Sequence, residues 1–263
     1  MTVPPAIGEW SRAVLEHETD AETLSTRLTE IATKYCNLRA SMSSFRDYSN
    51  SEYLVASLCA IDLEYTELLS ACPIPFIYST ITMNEESDEV FSDHYHAYSS
   101  IWTATIWNSY RCVRILVNEL ILNQISHILQ HPEEFPSTWD GSSFYESQIL
   151  VSNSILQQLA HDICASVPFY LGYSANSKDR FSRPPPKAVS GNLLLWPLYT
   201  AACTGVVSDM MRVWVAGRLR FISDVMGIRQ AAPLAYTLEV KQDLLEWDGE
   251  TGEDDMALVD FAV

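Results

Sequence analysis

His94 and His96, with Asp93 beside them, are the first residues in this chain whose types could hold a metal ion. Their spacing decides against it if the segment is helical. Positions i and i+2 of a helix point about 200° apart, so two such imidazoles cannot share one ion. The period of residues 94–122 (HYHAYSSIWTATIWNSYRCVRILVNELIL) is that of a long helix, with Tyr98 to Trp102 already inside it. Helix entry and packing is therefore the role expected of the two histidines.

His161 and Cys164 stand i and i+3 and could touch, as a thiol and its base would. No third group orients them in the sequence, so a packed cysteine is the expectation. The Asp254-Asp255 pair has Leu258 where an acid would be needed to continue a magnesium-binding pattern. GxGxxG, P-loop, GxSxG and HExxH motifs are absent. The sequence thus predicts no catalytic residue, no metal and no cofactor, and a protein that is not an enzyme.

A line of polar residues on the long helix is more informative: Asn108, Arg111, Arg114, Asn118 and Glu119. If that helix is central, some of these must find partners, because an unpaired buried guanidinium is costly. Asp162 and Asp209, on other apolar helices, are candidate counter-charges. Two outcomes are open. The line is either a structural network that fixes helix register, or the polar floor of a small-molecule pocket walled by Trp102, Trp107, Tyr110 and Trp214.

The elements that must position these groups read as an all-α domain. With nine glycines in 263 residues and few alternating Val/Ile/Thr runs, the composition favours helices. A helix is expected at 10–18. Asp20 should cap a second, carrying Leu24, Leu28, Ile31 and Tyr35 inward. A third starts at Ser51 with Leu54, Leu58, Ile61, Leu63 and Leu68, and ends before an extended Cys72-Pro73-Ile74-Pro75 segment. The long helix should present Trp102, Ile106, Val113, Val117 and Leu120 as an apolar stripe and stop near Gln130, before Pro132.

A helix at 144–167 closes at Pro168, and an irregular segment follows over 172–191. One long helix is then expected over 193–226, with Pro197 near its first turn and Gly227 left-handed at its end. A last helix begins near Gln230. Residues 1–245 are taken as one helical domain and 246–263 as a tail in which acids alternate with Trp247, Leu258 and Phe261. That is the composition of an activation segment that contacts a coactivator.

The formal net charge of −18 argues against direct binding to nucleic acid or to an anionic membrane. Six singly placed cysteines form no CxxC pair, so a zinc cluster is not expected. The N-terminus lacks the features of a signal peptide, and no uninterrupted apolar run reaches the ~20 residues of a membrane span. The expectation is an intracellular protein.

Three blocks carry a family resemblance. YHAYSSIWTATIWNSYRCVRILVNELIL (95–122), DICASVPFYLG (162–172), and LLLWPLYTA (193–201) leading to RLRFISDVMGIRQA (218–231) resemble, in order and spacing, the regulatory region of fungal-specific transcription factors of the six-cysteine binuclear zinc cluster class. The resemblance implies an all-helical regulatory domain, a nuclear location, and protein partners such as a second copy or a coactivator. It also admits a small-molecule effector. Full-length members carry a zinc-cluster DNA-binding module before this region; its cysteine spacing and basic flank are absent from these 263 residues.

Overall fold

The computed structural model describes residues 20–42, 50–70, 74–83, 87–131, 142–173 and 188–240, with a few single positions between them. The fold is all-α with one small hairpin. In chain order the helices are α1 (Asp20–Ser41), α2 (Ser51–Ser70), α3 (Ile101–Gln130), α4 (Ser142–Tyr170), α5 (Ala188–Cys203) and α6 (Asp209–Asp224). Residues 231–240 are also helical, α7. Strands β1 (Ser79–Thr82) and β2 (His94–Ala97) pair antiparallel, Ser79 facing Ala97 and Thr82 facing His94.

Helix α3 is the axis. It packs against α1, α2, α4 and α5, while β2 lies on α4. Its buried residues run from Thr103 to Ile128, and Val117, Leu120, Ile121 and Ile125 are wholly out of solvent. Neighbours on several sides explain why Asn108, Arg111 and Asn118 are buried along with the apolar residues. Among the described residues α3 is long and apolar enough to cross a membrane by length and composition, with a mean hydropathy of 1.2 over its most apolar window. Half of that window is buried inside the protein, as in the core helix of a bundle.

The apolar spacing of α1 holds, with Leu24, Leu28, Ile31 and Tyr35 all buried. So does that of α2 at Leu54, Leu58 and Ile61, but Leu63 is 56% exposed. Trp102, expected in the inward stripe of α3, is 47% exposed and leans on Phe76, with ring centres 5.5 Å apart.

Four boundaries differ from the sequence expectation. Residues 94–97 are strand, not helix; α3 starts at Ile101, where the Ser100 side chain accepts from the Thr103 N–H. The segment after Cys72 is a 3-10 turn over Ile74–Phe76 rather than extended chain. Helix α4 runs past Pro168 to Tyr170 and ends in left-handed Gly172 (φ 95°). The single helix expected over 193–226 is two: α5 begins at Ala188, which puts Pro197 in its interior, and Ser208 caps α6 through the Met211 N–H.

Gly227 is left-handed as expected (φ 76°), with the Ile228 N–H returning to Ile222 O. The helix expected at 10–18, the Asp254-Asp255 pair and the tail with Trp247, Leu258 and Phe261 lie outside the described residues.

Candidate functional site

The side chains singled out on α3 divide into two networks on neighbouring faces. Arg111 centres the first. It is fully buried, and its Nη1 donates to the Tyr98 hydroxyl at 2.8 Å and to Asn108 Oδ1 at 2.9 Å. Nη2 lies 3.4 Å from His96 Nδ1. Nε faces Asp162 Oδ2 on α4 at 3.9 Å, an ion pair whose carboxylate is 18% exposed. The guanidinium also sits over the rings of Tyr78 and Trp107, 5.4 and 5.5 Å from their centres. Asn108 completes the link to α4 by donating to Ser166 Oγ at 2.9 Å, and Ser166 donates on to Ile163 O.

The local fold makes this arrangement. A strand places alternate residues on one face, so His96 and Tyr98, just after the end of β2, both reach Arg111 on α3. Asn108 and Arg111 stand i and i+3 on α3 and share that face. The Trp107 indole donates to Phe76 O at 2.8 Å, fixing the 3-10 turn that brings Tyr78 over Arg111.

Arg114 centres the second network, against α2. Its Nε and Nη2 grip both oxygens of Asp62 at 2.7 and 2.9 Å, the fork geometry in which arginine is strongest. Nη1 donates to the Tyr110 hydroxyl, Nη2 to Thr66, and Asn118 donates to the same Asp62 oxygen at 2.8 Å. Glu119 on α3 is half-buried.

The electrostatics hold each group in one protonation state. Burial works against the Arg111 charge, but Tyr98, Asp162 and Tyr78 around it raise its pKa overall, so it stays a cation. Burial, reinforced by the Arg111 charge and by His94, depresses His96 to about 3, so it is neutral at physiological pH. Burial pushes the Cys164 thiol up. Cys164 is inside the core while His161 is exposed and lies against Phe91, so the imagined thiol–imidazole pair does not form. What the two networks do is join elements: α3 to β2 and α4 through Arg111, and α3 to α2 through Arg114.

The aromatic residues named as one pocket are not brought together. Trp107 and Tyr110 are neighbours, with ring centres 5.7 Å apart, but Trp102 rests outside on Phe76. The Trp214 indole donates to Asp88 O and its ring faces Phe91. A hollow of about 180 Å³ lies instead between α1, α2 and α3, lined by Leu28, Thr29, Tyr65, Ile106, Tyr110 and Val113 among others. Of the four aromatic residues only Tyr110 reaches it. Asp209 is not a counter-charge to α3; it pairs on the surface with Arg212.

Sequence reasoning missed Asp62, Tyr98 and Tyr78 as partners. Tyr98 sits in the same YHAY block as His96, three residues before α3, and that proximity was the available signal. His94 and His96 do share a strand face after all, with ring centres 6.0 Å apart, so the helical argument against a joint metal site does not apply. What stands against it is chemical: His96 Nδ1 faces the Arg111 guanidinium, whose charge repels a cation. No group of three or more His, Cys, Asp or Glu side chains comes together among the described residues.

Comparison with known proteins gives one relationship. No protein-family model matches the chain, and no solved structure does. The curated protein "Transcription factor dbaG" of Emericella nidulans is 31% identical over 150 residues. The match covers 55% of this chain and 32% of that protein, about a third of the relative's length. The chain is thus similar in sequence to part of a fungal transcription factor, and its all-α fold fits the resemblance read from its motifs.

Proposed function

We propose that this chain is a helical regulatory region of a transcription regulator, working through protein contacts and not through catalysis. The observation that carries this reading is the similarity to a fungal transcription factor over 150 residues. The arrangement of the site supports it: the charged and polar groups of α3 are engaged with one another, in networks that set the register of a bundle. With a net charge of −18, contact with DNA falls to another module or partner. Its place of action is the nucleus, with a second copy or a coactivator as the protein partner.

Disrupting the gene in its own organism, followed by transcript profiling, tests the reading. A coherent set of transcripts should rise or fall, and a fluorescent fusion should concentrate in the nucleus. An unchanged transcript profile under conditions where the protein is made overturns it.

A second reading is a small effector held in the hollow between α1, α2 and α3, a partly open cleft of about 180 Å³. Native mass spectrometry decides between a retained stoichiometric ligand and an empty chain.

A further inference from the structure

Helix α4 buries Tyr145, Ser152, Leu156, Leu159 and Ile163 and packs against α3, α5 and β2. Its outer side faces solvent along an unbroken line: Phe144, Ser147, Val151, Ser154, Gln158 and His161 are all exposed. Those steps of three and four are the a and d positions of a heptad pattern, so the six lie on one stripe about 25 Å long. Leu150 flanks the stripe, and Phe144, Leu150 and Val151 are each more than half exposed.

Among the described exposed residues of α4 only Glu146 is an acid, and none is Lys or Arg. Other helices meet water with charges: Arg27 and Lys34 on α1, Glu52 and Glu67 on α2, Asp209 and Asp224 on α6. Depletion of charge around large exposed apolar side chains is the compositional mark of an interface centre. Charge also selects the occupant. A cationic partner gains nothing from an uncharged face, and an anionic lipid surface finds no cation there. A second copy gains most, because two chains of net charge −18 repel each other and approach best where carboxylates are few.

We propose that two copies of this chain associate through the outer face of α4, with the two helices antiparallel about a two-fold axis level with Ser152 and Asn153. The proposal rests on the reading that a second copy is a partner, and it gives that contact a place. Antiparallel pairing sets Phe144 of one copy against His161 of the other, Ser147 against Gln158, and Val151 against Ser154. It keeps the two Glu146 carboxylates about 20 Å apart along the helix axis, well beyond the screening length of ~8 Å. Parallel pairing would bring them to the same level and align the two helix dipoles. The face is small, in the class of interfaces under about 1,200 Å² that hold partners transiently.

The test is sedimentation equilibrium of the full chain from about 1 to about 500 µM. A reversible monomer–dimer equilibrium should appear and tighten several-fold between ~20 and ~300 mM salt, because salt screens the repulsion between the acidic remainders. Val151→Glu should weaken it at least about tenfold, and mixing that variant with Val151→Lys should restore it. Restoration on mixing shows that each variant folds. Ser147→Glu with Gln158→Lys in one chain should tighten an antiparallel pair; loosening overturns the antiparallel arrangement. Met210→Glu, exposed on α6, should change nothing. A chain that stays monomeric throughout overturns the proposal together with the second-copy reading. A dimer indifferent to Val151→Glu overturns the α4 face alone and leaves the second copy as a partner elsewhere. Binding of a monomeric chain to phosphatidylcholine vesicles, abolished by Val151→Glu, also overturns the proposal and assigns the face to lipid.

Discussion

Arg111 Nη1 lies 2.8 Å from the hydroxyl of Tyr98, thirteen residues earlier in the chain. That bond ties the end of the β1–β2 hairpin to the first half of the longest helix, and Asp162 on the other side extends the tie to α4. A buried guanidinium held by one loose carboxylate and several neutral acceptors is worth most for where it puts things. Replacing it exposes what it satisfies.

Arg111→Met keeps the stem packing and removes the fork. Tyr98 and Asn108 Oδ1 lose their donor and Asp162 its ion-pair partner together, and breaking such a buried pair from one side costs about 3–5 kcal/mol. Urea unfolding should show that loss. Adding Asp162→Asn to the same chain should recover at least about 1 kcal/mol, because the stranded carboxylate charge is gone.

The Arg114–Asp62 fork is mostly buried on both sides, 14% and 15% exposed. A double-mutant cycle with Arg114→Ala and Asp62→Ala should give a coupling energy of about 2 kcal/mol. A coupling near zero would mean that Tyr110, Thr66 and Asn118 hold each partner without the other.

Stability should depend on pH through His96. Its folded pKa, depressed to about 3, lies below the ordinary value of 6.5 that the unfolded chain restores. The unfolded state therefore takes up a proton that the folded state refuses. The stabilisation is complete above about pH 6.5 and falls away toward pH 3, with a slope of about 1.4 kcal/mol per unit. His96→Gln should flatten the profile in that window; the difference between the two proteins isolates this group from the carboxylates.

Two helix ends on the C-terminal side can be checked by single substitutions. Ser208→Ala removes the side-chain cap of α6 and should cost about 1 kcal/mol. At Gly227 a Cβ would meet nothing within 4 Å, so Gly227→Ala should cost about 1 kcal/mol from backbone conformation alone, and Gly227→Asn less. Gly191 differs in kind: a Cβ there would come within 2.8 Å of Ile228, so its constraint is packing against the Gly227 turn.

The helical elements were legible because burial on one side imposes a 3.6-residue period, which Leu24, Leu28, Ile31 and Tyr35 display in full. Local punctuation was read less well. His94–Ala97 is only four residues of strand, too short for a period of two to stand out against the helix that follows. Pro168 reads in the sequence as a stop, yet a proline near the end of α4 forfeits one hydrogen bond while Leu171 and Tyr173 still bond to carbonyls behind them. The Ser208-Asp209 pair that starts α6 is a cap signal present in the sequence, overridden by the apolar residues on either side. In the polar networks, the sequence identified α3 as the source of charge and Asp162 as a partner. It could not choose Asp62, because which carboxylate meets Arg114 is set by how α2 crosses α3.

Helix α3 has a consequence for motion. Thirty residues at about 1.5 Å each make a rod of about 45 Å, clamped by Arg111 in its first half and passing through the core at Leu120, Ile121, Gln124 and Ile125. Amides at those four positions have no route to solvent short of opening the whole bundle. Their deuterium exchange should be the slowest in the protein and should track its global unfolding free energy, while amides of the exposed strand β1 should exchange orders of magnitude sooner.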